Sequence, residues 1–207
     1  MGDDDSFLAL LVYVDDIIII GPNLAVIDGL KQFLHGQFKF KDLGHLKFFL
    51  GLEIARSSAG LVLSQRYYAL QLLEDSGYLA CKPAAEPMDA KIQLCADEGS
   101  PLSDASQYRR WIGRLLYLTI TCPDITFVVH KLSQFLTKPR EPYLQAVHHL
   151  LRYIKASPGQ GLFYYANSSI QLKAFSDADW SSCPDSRKSM TGFCIFVGDS
   201  LVSWKSK

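Results

Sequence analysis

Residues 8–20 read LALLVYVDDIIII, and this stretch decides the fold prediction for the first part of the chain. Two apolar runs flank an acidic pair, Asp15 and Asp16, and the β-branched residues in both runs favour strands. Two strands joined by a tight turn fit this pattern. The sequence therefore predicts a β-hairpin that carries two carboxylates at its tip.

The acidic pair points to a cation, because burial and like-charge repulsion both oppose ionisation of neighbouring carboxyl groups between apolar strands. Mg²⁺ commonly binds one or two protein carboxylates and takes its other ligands from water and phosphate groups. The alternative is a solvent-exposed turn in which Asp15 and Asp16 only favour the local backbone.

The composition indicates a globular protein with a substantial core. The chain has 207 residues, of which 48% are hydrophobic and 20% charged, which excludes the disordered, collagen-like and low-complexity classes. Its five cysteines contain no C-x-x-C pair, which weighs against a disulfide scaffold or a zinc finger. No apolar run approaches the roughly 18 residues of a membrane helix, and the acidic start does not resemble a signal peptide. We expect a soluble intracellular protein without a membrane partner, cytoplasmic or, alternatively, organellar.

Charge is distributed unevenly although the formal net charge is zero. Residues 1–106 carry 8 Lys/Arg against 15 Asp/Glu, whereas residues 107–155 carry 8 against 2. A basic segment of this kind is typical either of a phosphate-facing surface or of a solvated helix face that binds nothing.

Hydrophobic periodicity predicts a mixture of hairpins and helices. Residues 24–38 have the spacing of an amphipathic helix, with Asn23 as its N-cap. Residues 46–54 and 61–63 flank a small polar turn and predict a second hairpin, followed by a helix over residues 65–76. The proline-containing segment 81–103 is interpreted as a connector and hinge.

The second half of the chain changes from helical to strand periodicity. Three apolar stripes with proline punctuation predict about three helices between residues 104 and 156. Beyond residue 159 the pattern predicts four short strands, at residues 162–165, 170–175, 192–197 and 201–204. The fold class is therefore α+β.

Several segments together resemble the polymerases of copia-type retrotransposons. Tyr13, Val14, Asp15 and Asp16 resemble the Y-V-D-D signature of reverse transcriptases. The similarity continues in order along nearly the whole chain, through residues 38–44 (FKFKDLG), 49–54 (FLGLEI), 63–68 (LSQRYY), 108–118 (YRRWIGRLLYL), 121–125 (TCPDI), 175–180 (FSDADW) and 185–193 (DSRKSMTGF).

The resemblance implies a definite layout. Residues 1–80 would form part of the polymerase palm and the start of the thumb, 81–103 a connector, 104–158 the helical thumb and connection, and 159–207 the first part of a ribonuclease H-like domain. Catalytic, metal-binding roles would fall to Asp15 and Asp16 in the polymerase and to Asp177 in ribonuclease H. Nucleic-acid contacts would come from the primer-gripping hairpin and the basic helices, through Phe49, Leu50, Gly51, Arg109, Arg110 and Arg114. For Asp179 a polar strand-end role is preferred over metal ligation, and Cys122 and Cys183 are interpreted as packing or surface residues.

The family also implies Mg²⁺ as cofactor and a template–primer duplex of RNA or DNA as partner. In the family, another palm Asp and the fingers precede the hairpin, and a Glu and further Asp residues follow the third ribonuclease H strand. These groups are not found among the 207 residues, so the isolated chain is expected to be inactive unless a separate polypeptide supplies the N-terminal polymerase part.

Three other interpretations stay open. The chain is a non-catalytic remnant that binds nucleic acid, or an unrelated metal-dependent phosphotransferase that combines Asp15 and Asp16 with Asp42 and Glu53. It is also consistent with a pseudogene product without a selected role.

Overall fold

A computed structural model describes residues 7–89, 94–95, 98–180, 187 and 189–206. The chain divides into two compact units, Met1–Lys47 and Phe48–Lys207. All the described sheets are antiparallel, and α-helices occur between their strands along the sequence. This agrees with the predicted mixed α and β fold.

The first unit contains one hairpin and one helix. Strands β1 (Ala9–Tyr13) and β2 (Asp16–Ile20) pair along their full length. Helix α1 (Leu24–Gln37) begins where predicted, because the Asn23 side chain accepts a hydrogen bond from the Ala25 N–H at 3.0 Å. None of the residues of α1 is buried.

The second unit opens with a four-stranded sheet in the order β3-β4-β5-β6. Its strands are β3 (Phe48–Phe49), β4 (Leu52–Ser57), β5 (Gly60–Ser64) and β6 (Gly161–Tyr165). The predicted hairpin between residues 46–54 and 61–63 is confirmed in β4 and β5. Within residues 46–54 the backbone also turns between β3 and β4, which creates a further hairpin that the sequence did not predict.

Strand β6 pairs with β5 rather than with the strands that follow it. Periodicity predicted β6 as the first of four strands beyond residue 159, but the structure places it in the sheet with β3, β4 and β5, whereas β7, β8 and β9 form a separate sheet. Pairing across about a hundred residues depends on tertiary packing, which the local pattern does not encode. Strand β6 therefore connects the C-terminal end of the helical segment to the four-stranded sheet of the second unit.

The core lies among the helices of the second unit. These are α2 (Arg66–Asp75), α3 (Ser106–Leu118), α4 (Thr126–Ser133), α5 (Glu141–Ala156) and a short 3₁₀ helix (Pro123–Ile125). Each of the predicted apolar stripes contributes buried side chains, among them Trp111, Leu115, Leu118, Val128, Leu132, Val147, Leu150, Leu151 and Ile154. Cys122 joins this core, and burial raises the pKa of its thiol to about 11, so its predicted packing role is confirmed. Cys183 lies outside the described residues.

The connector is attached to α5 along its described part. The Ala84 N–H donates to the Arg152 carbonyl at 3.1 Å, and the Tyr143 hydroxyl donates to the Cys95 carbonyl. Leu94 is buried in the core. These contacts make the segment a packed strap on α5 rather than a free hinge.

The last sheet has the order β7-β8-β9, from β7 (Leu172–Asp179), β8 (Met190–Val197) and β9 (Ser200–Ser206). All three strands were predicted, and each is longer than the periodicity indicated. The His130 ring of α4 contacts the Ser206 carbonyl at the end of β9, and the Tyr165 N–H of β6 donates to the Ser200 hydroxyl at 3.0 Å. The sheet thus joins both α4 and β6.

Within the described part of the chain, the helices are all too short or too polar to cross a lipid bilayer.

Candidate functional site

Asp15 and Asp16 lie at the tip of the β1–β2 hairpin, and this prediction is confirmed. Val14 and Asp15 form the turn, while Asp16 is the first residue of β2 and faces Tyr13 across the ladder. Both acidic residues are exposed. The burial on which the sequence argument for a cation rested is therefore wrong, and the exposure matches the alternative of a solvent-exposed turn. The exposed carboxylates are accessible to a cation together with its water and phosphate ligands.

The turn itself adopts an unusual backbone conformation. Val14 has φ of +50°, a left-handed value that costs a β-branched residue roughly 1–2 kcal/mol. Glycine ordinarily occupies the first position of such a two-residue hairpin turn. The pairing of β1 with β2 on either side of the turn imposes this conformation.

The donor set at the hairpin tip suits a hard divalent cation. Two exposed carboxylates offer only oxygen donors, which is the ligand type that Mg²⁺ prefers. In the described ranges, no group of three or more His, Cys, Asp or Glu side chains is placed to hold a metal ion. The pair therefore fits Mg²⁺ as one part of a site, with other ligands needed to complete it.

Asp42 and Glu53, the acids that the phosphotransferase interpretation invoked, have structural partners. Asp42 accepts a hydrogen bond from the Lys31 ammonium at 2.9 Å and another from the Gly44 N–H at 2.8 Å. Both contacts, of which the one with Lys31 has the larger effect, hold the pKa of Asp42 below its usual range. Glu53 accepts the Tyr67 N–H at 2.6 Å at the start of α2. These bonds explain both carboxylates without a metal ion.

The predicted primer-gripping segment forms the tight turn between β3 and β4. Leu50 and Gly51 both have positive φ, +49° and +79°, whereas Phe49 is the last residue of β3. The Tyr117 hydroxyl of α3 donates to the Leu50 carbonyl at 2.5 Å. A Cβ atom on Gly51 would lie 2.6 Å from that hydroxyl oxygen, so both the conformation and the close approach require glycine.

The three predicted arginines of α3 have different surroundings. Arg109 donates to the carbonyls of Leu136 and Thr137, at 2.9 and 3.4 Å. It therefore anchors the segment after α4. This contact does not exclude a phosphate contact, which stays a prediction.

Arg114 and Arg110 both approach Asp75 of α2, but to different extents. Arg114 forms a 2.5 Å ion pair with Asp75 and has a side chain only 17% exposed, with its guanidinium over the ring of Tyr68. Arg110 lies 4.0 Å from the same carboxylate, covers Trp111 and has a side chain 65% exposed. Arg110 therefore presents the more accessible cation of the pair.

Asp177 lies on β7, and Asp179 lies on the same face because residues two apart in a strand project alike. Both are exposed. Asp177 borders an open groove of about 340 Å³ between α4 and the last sheet, with Phe127, Phe175 and Trp204 among its apolar walls. The residues that follow β7, 181–186, lie outside the described residues.

Comparison with known proteins assigns the family. A family model described as reverse transcriptase (RNA-dependent DNA polymerase) matches residues 1–90. The retrovirus-related Pol polyprotein from transposon RE1 of Arabidopsis thaliana is 39% identical over 202 residues, which cover 98% of this chain and 14% of that polyprotein. An uncharacterised mitochondrial protein of Arabidopsis thaliana is 38% identical over 198 residues, which cover 96% of this chain and 82% of that protein.

The chain belongs to the copia-type retrotransposon reverse transcriptases. The resemblance seen in the sequence motifs is thus confirmed. A putative transposon Ty5-1 protein of Saccharomyces cerevisiae is a further relative, 31% identical over 205 residues that cover 98% of this chain and 67% of that protein. No solved structure matches the chain.

This reverse transcriptase chain spans only 14% of the length of the RE1 and RE2 Pol polyproteins. The matched residues 1–90 include the hairpin with Asp15 and Asp16 as well as the β3–β4 turn. Both features therefore lie inside the family's own reverse transcriptase region.

Sequence reasoning missed the residues that support the turn and the arginines. Tyr117 and Tyr68 pack edge to face at 4.8 Å between ring centres, and the Tyr68 hydroxyl donates to the Arg114 carbonyl at 3.2 Å. Asp75, the partner of Arg114, lies 39 positions earlier in the chain. The four-residue spacing of Arg110 and Arg114 was the available signal, since it places them on one helix face, but it does not reveal their partner.

Proposed function

We propose that this chain is a reverse transcriptase fragment that binds a template–primer duplex and does not turn over substrate by itself. The observation that carries the proposal is the exposed Asp15–Asp16 pair at the apex of an antiparallel ribbon, within the residues that match the family. The family's chemistry takes place at the end of a growing nucleic-acid strand, so a ribbon tip offers the acids to that end.

Asp15 and Asp16 would hold Mg²⁺ as part of the polymerase site. Mg²⁺ held there would supply charge stabilisation for the oxygens of nucleotide addition. The contribution of this chain is positional: paired strands hold both carboxylates at one apex, and the strained Val14 turn sets their direction.

The duplex would lie on the β3–β4 turn and α3. Residues 107–155 carry 8 Lys/Arg against 2 Asp/Glu, so this part of the second unit attracts phosphate groups and gains by releasing their counterions. Arg110 supplies an exposed cation there, and the turn supplies the exposed side chain of Leu50. Phe49, Gly51, Arg109 and Arg114 complete the proposed surface.

The last sheet would be the beginning of a ribonuclease H-like domain, with Asp177 as its first metal-binding acid. Its support is the motif similarity of residues 175–180 and the antiparallel order β7-β8-β9. Asp177 lies near the C-terminal end of the paired region of β7, opposite Gly192, whose missing side chain leaves room on that face.

The proposed absence of turnover is supported by the donor sets of the described residues. A two-metal reaction needs carboxylates that clamp two ions about 3.5–4 Å apart. Among the described residues, neither Asp15 and Asp16 nor Asp177 belongs to a group of three or more possible ligands. A second polypeptide with the N-terminal polymerase part is the partner that would complete the first of these sites.

The duplex proposal is tested by fluorescence anisotropy with a labelled RNA–DNA primer–template and the purified chain, between 50 and 200 mM salt. We expect binding that weakens with salt, with a slope of log affinity against log salt of about −0.9 per phosphate contact. A flat salt dependence, or no binding at 50 mM salt, would contradict duplex binding.

Turnover is tested separately by Mg²⁺-dependent primer extension with the same protein. We expect no extension, with an active reverse transcriptase as positive control and Asp15→Asn as the matched variant. Extension by the wild-type chain that disappears in Asp15→Asn would overturn the proposal of an inactive fragment.

A further inference from the structure

The β3–β4 turn is attached to α3 by one side chain. The Tyr117 hydroxyl donates to the Leu50 carbonyl, and Gly51 leaves just enough room for its oxygen. Two consecutive residues with positive φ make this a tightly determined turn. The direction of the turn therefore depends on where α3 places Tyr117.

The position of Tyr117 on α3 is itself well supported. Its ring packs edge to face against Tyr68 of α2, whose hydroxyl donates to the Arg114 carbonyl. The Arg114 guanidinium covers the Tyr68 ring and pairs with Asp75 of the same helix. These contacts fix helices α2 and α3 against each other next to the β3–β4 turn.

Arg110, Arg114 and Tyr117 recur at four- and three-residue spacings and lie on one face of α3. Seven residues of α-helix span about 10 Å, the distance between the levels of Arg110 and Tyr117. The turn that Tyr117 holds and the exposed Arg110 cation therefore lie on the same side of α3, about 10 Å apart along the helix.

We propose that Tyr117 is a positioning residue for duplex binding, whose hydroxyl holds the Leu50–Gly51 turn so that the turn and Arg110 contact the same duplex. This inference rests on the proposed function, because it assigns a task to the same surface. It makes duplex binding depend on a group that does not itself contact nucleic acid. A flexible single strand can adapt its phosphate spacing to a displaced turn, whereas a duplex cannot.

The first test compares Tyr117→Phe with the wild-type chain in anisotropy titrations on a duplex and on a single strand of equal length. Because one hydrogen bond is lost, we expect the affinity for the duplex to weaken by about threefold to tenfold. The affinity for the single strand should change by less than about twofold, since no phosphate contact is removed. Tyr153→Phe is the matched control, because its hydroxyl donates to Asp124, away from the turn, and it should change neither affinity.

The outcomes separate the two proposals. Wild-type binding with normal salt dependence and an unchanged duplex affinity in Tyr117→Phe overturns the positioning role and leaves the proposed function intact. Equal weakening on duplex and single strand also overturns it, because that is the result of a general structural loss. Failure of the wild-type chain to bind any duplex overturns the proposed function and the positioning role with it.

A second test examines the contact without nucleic acid. Gly51→Ala places a Cβ atom against the Tyr117 hydroxyl, and removal of that hydroxyl should relieve part of the clash. We expect Gly51→Ala to lower the Tm less in the Tyr117→Phe background than in the wild-type chain. Equal shifts in both backgrounds would show that the hydroxyl does not meet the turn and would overturn the positioning role.

Discussion

The two units of the chain differ in the interactions that stabilise them. In the first unit none of the described residues is buried, and the apolar side chains of the hairpin remain exposed, including Leu11 and Ile20. The second unit contains the entire described core, with Leu115 and Leu150 fully inaccessible. The difference teaches that the acids at the hairpin tip are held by local pairing, whereas the turn and α3 are held by packing.

This contrast has consequences for stability. An element without buried apolar area depends on backbone hydrogen bonds and strand propensity, which open locally at low free energy. A core of close-packed side chains unfolds cooperatively instead. The first unit should therefore exchange its amide protons through local opening, and the second through global unfolding.

The largest expected effect comes from truncation of the second unit's core. Leu150→Ala removes a fully buried side chain and leaves a cavity, which should lower the free energy of unfolding by about 2–5 kcal/mol. Leu11→Ala, at a side chain 51% exposed, is the matched change in the first unit and should cost less than about 1 kcal/mol. Thermal unfolding followed by circular dichroism measures both. Similar losses of unfolding free energy in the two variants would contradict the claim that only the second unit is stabilised by core packing.

The second-largest effect is expected for Arg110 and Arg109, which have different contacts in the structure. Arg110→Ala removes an exposed cation and should reduce the salt slope of duplex binding by about one. Arg109→Ala removes two bonds to carbonyls after α4 and should lower stability by about 1–2 kcal/mol with less effect on that slope. Anisotropy titrations at several salt concentrations, together with urea unfolding, measure the pair. The reverse assignment of the two effects would show that Arg109 is the phosphate contact.

A smaller effect is expected at the strained turn of the first unit. Val14→Gly relieves the left-handed conformation but loses entropy on folding, so the net gain in hairpin stability should be about 0.5–1 kcal/mol. Amide exchange over residues 9–20 should become a few times slower. Faster exchange in this variant would mean that the valine side chain stabilises the tip by contacts that outweigh its strain.

The sequence distance between contacting residues explains which structural features could be predicted from the sequence. Local periodicity predicted α1, the β4–β5 hairpin, the helices of the core and the last three strands, because each is determined by residues near in sequence. The Asp15–Asp16 tip was predictable for the same reason. Strand β6 and the Arg114–Asp75 pair were not, since their partners are distant in sequence.

The β3–β4 turn shows a third case. Residues 46–54 form an apolar run with one glycine, and Leu50 occupies a conformation that non-glycine residues rarely adopt. Gly51 was the only local signal of a turn. Its tertiary support, the Tyr117 hydroxyl, lies 67 positions later.

The smallest effect is a pH dependence in the first unit. The Lys31 ammonium lowers the pKa of Asp42 from its ordinary 3.8, so their contact is present above that pH and is lost as pH falls through the lower folded-state value. The Gly44 amide resonance should therefore titrate with a midpoint below 3.8 and stop titrating in Asp42→Asn. A midpoint at or above 3.8 would mean that the ion pair is not formed in solution.

Hydrogen exchange of the whole chain with and without a saturating primer–template duplex tests the central claim most directly, because it shows where the nucleic acid lies. We predict added protection in peptides that cover the β3–β4 turn and α3, with the connector strap on α5 unchanged. Protection confined to other segments, or none under conditions where the duplex is bound, would contradict the assignment of this surface to the duplex.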